Sequence, residues 1–146
     1  MMPFEYRPSV VFLGLLAAAV LARATGRAWL SPREARTGWL VGLTSALALY
    51  PSASGLGRVD TYSWGWGSGP ALVAVTLAAV ALALAGSRVS WLLFAAVVAW
   101  RLGLFESTNL WDYLVDPVFV VAGLVALTGI ARRVAPPIPP SGSRAK

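Results

Sequence analysis

The sequence predicts an all-α, polytopic membrane helical bundle. Three observations predict it: five apolar stretches at 8–22, 37–57, 69–87, 89–105 and 110–131, a 58 % hydrophobic composition with 12 % charged residues, and a charge asymmetry across the connections. A soluble domain carries roughly 25 % charged residues, and a fold this small could not hide so much apolar surface. Alternating the connections between two sides collects Arg23, Arg27, Arg33, Arg36, Arg88, Arg132, Arg133, Arg144 and Lys146 on one side, with Glu34 as its only acid. The other side receives Glu5, Asp60, Glu106, Asp112 and Asp116, with Arg7, Arg58 and Arg101. The formal charges are then +8 and −2. Basic residues stay cytoplasmic, so the pattern predicts about five transmembrane helices, N-terminus out and C-terminus in. The count falls to four if the first segment is cleaved or interfacial, or if the fifth is interfacial.

The first segment, Pro8 to Ala22, is short for a span of roughly 20 residues; Arg23 and the tip residues can snorkel to the interface. The N-terminus also has the apolar core and small residues of a secretory signal. Glu5 weakens its positive region, and Arg23 and Arg27 follow the core, so a retained span is expected, with cleavage as the alternative. Ser31-Pro32 reads as N-cap and first position of the next helix. The second segment, Thr37 to Gly57, meets Pro51, which removes a backbone donor and is expected to kink or end the helix in its outer third. Gly38-x-x-x-Gly42 matches the small-xxx-small helix-packing pattern.

Residues 58–70, RVDTYSWGWGSGP, alternate Trp and Gly and suit an extended or turning segment at headgroup level. The third segment, Gly69 to Ser87, is Ala, Leu and Val with Thr76 mid-span. The connection around Arg88 is short enough to force an antiparallel hairpin into the fourth segment. The fifth reads in two ways. Asp116-Pro117 forms an N-cap and N1 pair opening a span at 117, with 107–115 a separate interfacial helix capped by Asn109 and Asp112; otherwise one helix from about 109 is kinked at Pro117. The whole is one transmembrane domain over 1–133, followed by a Pro/Ser-rich cytoplasmic tail over 134–146.

The chemistry open to the chain is narrow. It has no Cys and no His, which removes disulfides, thiolate metal sites, the commonest metal ligand and the usual base near neutral pH. No nucleophile is accompanied by a base, and no carboxylate pair has a defined spacing. No enzymatic activity, metal or cofactor is therefore expected. The net charge of +6 would point to nucleic acid in a soluble protein; here topology and anionic lipid headgroups account for it.

One stretch collects polar groups near membrane depth. Arg101 falls twelve to thirteen residues into the fourth segment, about 19 Å along a helix, and an intramembrane Arg normally has a partner. Asp116 is the best candidate, with Asp112 one turn away; the pair would staple two helices or form a ligand or ion site. The candidate binding residues are Arg101, Glu106, Asp112, Asp116, Asp60, Trp64, Trp66 and Trp111. With Tyr50, Tyr62, Trp100 and Tyr113, the aromatics suit an interfacial belt or anchors for a partner.

The function expected is that of a small accessory or scaffold subunit of a larger membrane complex, with other membrane subunits and lipids as partners and no nucleic acid. Self-association is open. The alternative is a small oligomeric transporter or channel using the Arg101, Asp112 and Asp116 cluster. Eleven Arg against one Lys and the Ala, Gly and Val richness suggest a high-GC bacterial genome, hence a multi-pass protein of the inner (plasma) membrane.

Overall fold

The computed structural model describes residues 7–55 and 59–134. Glu5, Arg58, Arg144, Lys146 and the tail after Val134 lie outside the described residues, as does the head of the signal-like segment. The described chain is helical, in the order α1 (Val10–Thr25), α2 (Pro32–Ala53), a 3-10 turn (Tyr62–Gly65), α3 (Pro70–Leu84), α4 (Val89–Arg101), α5 (Trp111–Leu114) and α6 (Pro117–Val134). Among the described residues, the only strand-like pairing is an isolated antiparallel bridge between Trp66 and Asn109.

Caps set most of the boundaries. Ser9 caps α1 by accepting from the Phe12 N–H at 3.4 Å, and Gly26 ends it at φ 69° with its N–H on the Ala22 carbonyl. The helix runs past the apolar segment and takes Arg23 into its last turn, where a cation suits the helix dipole. Ser31 and Pro32 open α2 as expected. Glu34 completes a capping box, its N–H donating to Ser31 Oγ at 3.3 Å and its carboxylate accepting the Ser31 N–H at 2.8 Å. The charged residues 33–36 are therefore helical, because an apolar stretch delimits burial and not the helix itself. Pro51 does not end α2, which runs to Ala53. The connection between α3 and α4 is tight, with Gly86 at φ 71°. The fifth segment takes the two-piece form: Asp116 Oδ1 accepts the Phe119 N–H at 2.9 Å and caps α6, with Pro117 as its first residue.

Helices α1, α2 and α4 form the centre, α3 leans on α4, α6 leans on α2, and α5 touches α1, α2 and α4 at one end. Gly38 and Gly42 serve two different neighbours. A Cβ on Gly38 would lie 2.7 Å from Leu15 of α1, and one on Gly42 would lie 2.1 Å from the Phe119 ring of α6. The small-xxx-small pattern is thus used inside the chain. Phe12, Trp39 and Phe119 pack there at tilted angles, with ring centroids 5.2 to 6.2 Å apart.

The outward faces are as apolar as the inward ones. Helix α3 buries Ala71, Val75 and Ala79, while Val73, Leu77, Val80 and Leu84 point away from the protein. Among the described residues one stretch, Trp111–Gly129, which runs through α5 into α6, is long and apolar enough to cross a membrane; α1, α3 and α4 are apolar but shorter. Helix α4, with 13 residues, is about 20 Å long.

Hydrogen bonds sort the connections into two ends. Ser9, the 59–69 connection and 102–116 are joined at one, the knot end. Residues 29–34 and 85–88 are joined at the other, the arginine end.

Candidate functional site

The knot end holds most of the sequence-derived candidates. Its centre is Asn109, which is fully buried. The Asn109 Nδ2 donates to the Tyr62 carbonyl at 3.1 Å, and its Oδ1 accepts the Trp111 N–H at 3.0 Å. Beside it, the Leu110 N–H donates to the Gly65 carbonyl at 2.9 Å. Gly65 is required by this approach, since a Cβ there would sit 1.8 Å from Asn109 Oδ1. Gly67, at φ 56°, turns the chain back towards α3.

Indoles and hydroxyls complete the network. Trp111 Nε1 donates to the Thr61 carbonyl at 2.9 Å, and Thr61 reaches α2 through its Oγ1 on the Ala48 carbonyl at 2.7 Å. The Thr61 N–H donates to Ser52 Oγ at 3.2 Å. This contact braces α2 next to Pro51, where the helix lacks a donor. Trp100 Nε1 donates to the Thr108 carbonyl at 2.8 Å. The Tyr113 hydroxyl accepts the Phe105 N–H at 3.0 Å and lies 3.1 Å from the carbonyls of Phe105 and Ser107, while its ring stacks on Phe105 at 4.6 Å. Among the described residues, every buried side-chain nitrogen and oxygen has a partner, as a polar cluster away from water requires.

The network ties down the carboxylates. Asp60 Oδ1 accepts the N–H groups of Tyr62 and Ser63 at 3.1 and 3.2 Å, and Asp112 accepts the Ser107 hydroxyl. Asn109 and Asp112 do not form a capping pair: the N-cap of α5 is Leu110, without a side-chain cap, while Asn109 Oδ1 accepts the Trp111 N–H and Ser107 Oγ accepts the Asn109 N–H. Asp116 is buried, with Oδ2 on the Ser9 N–H and Oδ1 on the Phe119 N–H, both at 2.9 Å. It therefore joins the start of α1 to the start of α6. Glu106 pairs with Arg7 at 3.5 Å on an exposed surface. Burial, with the Asp112 charge adding to it, pushes the Tyr62 phenol above its usual range.

The expected ion pair between Arg101 and Asp116 does not form. Arg101 is the last residue of α4, exposed, with its guanidinium 4.8 Å from the Trp100 ring centroid. The helix ends where the cation emerges, so it needs no buried partner. The candidates thus separate. Trp111, Asp112 and Asp116 belong to the internal network, and Arg101 and Glu106 lie on the surface. Asp60, Trp64 and Trp66 remain together in one exposed loop, where Tyr62 and Trp66 meet edge-on at 6.2 Å. The aromatics divide in the same way: Trp100, Trp111 and Tyr113 are buried, while Tyr62, Trp64 and Trp66 are exposed.

Sequence reasoning missed the bracing roles of Ser9, Ser52, Thr61, Ser107 and Tyr113. Their partners are 8 to 107 residues away in several cases, and no local spacing encodes them. A shallow apolar groove of about 380 Å³ lies between α2 and α6, lined by Leu43, Leu47, Tyr50, Pro51 and Val120 among others. Among the described residues no group of three or more acidic, His or Cys side chains is arranged to hold a metal.

At the arginine end, Glu34 Oε1 accepts the Arg88 N–H at 2.8 Å, and the Arg88 guanidinium donates to the Trp29 carbonyl. The Arg88 and Ser31 N–H groups hold the Glu34 carboxyl at a pKa of about 2. No protein family, curated protein or solved structure matches this chain.

Proposed function

We propose that this chain is a multi-pass accessory subunit of the inner membrane, which offers the Tyr62–Trp66 loop to a partner membrane protein. The observation that carries the reading is the contrast within that loop. Its backbone is held by Asn109 and Trp111, while Tyr62, Trp64 and Trp66 face outward. Rigid exposed Trp and Tyr make strong interface anchors, because little side-chain freedom is lost when they are covered.

The membrane half of the reading is supported by α3, which turns Val73, Leu77, Val80 and Leu84 away from the protein and packs Ala71, Val75 and Ala79 against it. A lipid-facing helix reads this way, since small residues let helices approach while lipid tails solvate the large ones. The two polar ends, one arginine-rich and one carboxylate-rich, support an orientation by the positive-inside rule, with the knot end out and the arginine end in. Helices shorter than the hydrocarbon layer are accommodated by local thinning and by snorkelling of terminal arginines.

The test is purification of the tagged chain from its native membrane in mild detergent, with mass and mass-spectrometric identification of what accompanies it. A stoichiometric membrane subunit is expected, and Trp64→Ala with Trp66→Ala should release it while the chain stays folded. A homogeneous species containing this chain alone would overturn the subunit reading. Orientation is read separately: a reporter after Lys146 should be cytoplasmic and one within 59–66 external.

A further inference from the structure

The arginine end carries charge that the protein itself does not compensate. Arg23, Arg27, Arg33, Arg36 and Arg88 are all exposed. Among the described residues the one acid at this end is Glu34, and both its carboxylate oxygens are occupied by the N–H groups of Ser31 and Arg88. Among the described residues, the guanidinium groups of Arg23, Arg27, Arg33 and Arg36 have neither an ion pair nor a hydrogen bond. Like charges gathered without a carboxylate repel one another unless an external anion joins them.

The positions are ordered. Arg23 lies in the last turn of α1, and Arg33 and Arg36 lie one turn apart at the start of α2. The connection between them is fixed from the neighbouring hairpin, because Arg88 donates its backbone N–H to Glu34 and its guanidinium to the Trp29 carbonyl. Trp29 is 40 % exposed beside Leu30, which is buried. An exposed indole among arginines, at the ends of apolar helices, is the composition of a headgroup-level surface. Guanidinium forks match phosphate oxygens in pairs.

We propose that this end is an anionic-phospholipid surface, in which Arg23, Arg27, Arg33 and Arg36 hold headgroup phosphates over a connection that Arg88 keeps in place. It rests on the membrane reading above and adds the side chains that hold the lipid and the connection that positions them. A zwitterionic headgroup brings its own cation and compensates poorly; phosphatidylglycerol or another net-anionic lipid compensates directly.

The experiment uses the full chain, delipidated in mild detergent and titrated with phosphatidylglycerol, phosphatidylcholine or inorganic phosphate, with bound lipid counted by native mass spectrometry. Phosphatidylglycerol should bind in preference to phosphatidylcholine. Arg33→Gln with Arg36→Gln should lower that preference roughly 25-fold, at about fivefold per cation, and Arg33→Lys with Arg36→Lys should keep most of it. Arg101→Gln, at the other end, should leave it unchanged. Equal binding of the two lipids would overturn the proposal, as would an Arg33→Gln/Arg36→Gln variant that keeps the preference while its circular dichroism is unaltered. Competition by inorganic phosphate as effective as that of the lipid would assign the site to free phosphate instead. Resistance of the chain to alkaline carbonate extraction, measured alongside, reads membrane integration by itself and separates failure of that reading from failure of this one.

Discussion

At the knot end, Asn109 is fully buried and fixes a loop whose chain position is 47 residues away through one carboxamide bond. At the arginine end, the partly exposed Glu34 joins a connection 54 residues away through one carboxylate bond. Both tie distant segments together, but one does so without charge and out of water, the other with charge at the surface. Removing a member of a buried polar network leaves its partner unsatisfied, at the cost of that partner's full desolvation penalty. A surface carboxylate is replaced by water at little cost. The knot end should therefore carry most of the stability of the fold, and the arginine end little of it.

Gly65→Ala should separate the two ends most sharply. The new Cβ would meet Asn109 Oδ1, and the change should cost about 3 kcal/mol, read as a large fall in thermal stability in detergent. Asn109→Ala in the same chain should cost less than the sum of the two single changes, because the clash is removed with the carboxamide. Asp116→Ala comes next, at about 2 kcal/mol, since a helix cap and the Ser9 contact are lost together.

The arginine end predicts a pH effect of smaller size. Glu34 is held down from 4.5 to about 2 in the folded chain, so its contribution is complete above about 4.5 and fades as the pH falls towards 2. Surface screening keeps that contribution below about 1 kcal/mol. Glu34→Gln should flatten this part of the stability–pH curve; an unchanged curve would mean that the carboxylate does not link the two connections. Arg101→Ala should have the smallest effect, under about 1 kcal/mol, with no change in the behaviour of Asp116. A loss as large as that from Asp116→Ala would restore the idea of a coupled pair.

The helices were readable because apolar periodicity and caps are local signals: Ser31-Pro32 and Asp116-Pro117 mark their helices within a few residues. The two-sided charge pattern was readable for the same reason. The Arg101–Asp116 pairing was not, because it required the point at which α4 ends, and that depends on where Gly103 turns the chain. Nor could the sequence divide the aromatics. Trp111 and Trp66 look alike in composition, yet one donates inward to Thr61 and the other stays exposed; the choice is made by Asn109, whose partners come from another connection.

The packing of α3 on α4 reverses the usual rule for which positions accept change. Ala79 and Ala96 are completely buried, whereas Leu77 and Leu84 are 65 % and 86 % exposed. Bulk can be gained or lost along the rim of this hairpin with little consequence, while a single added methyl at the seam has nowhere to go. On α3 the permissive positions are thus the large Leu77 and Leu84, and the fastidious ones the small Ala71 and Ala79.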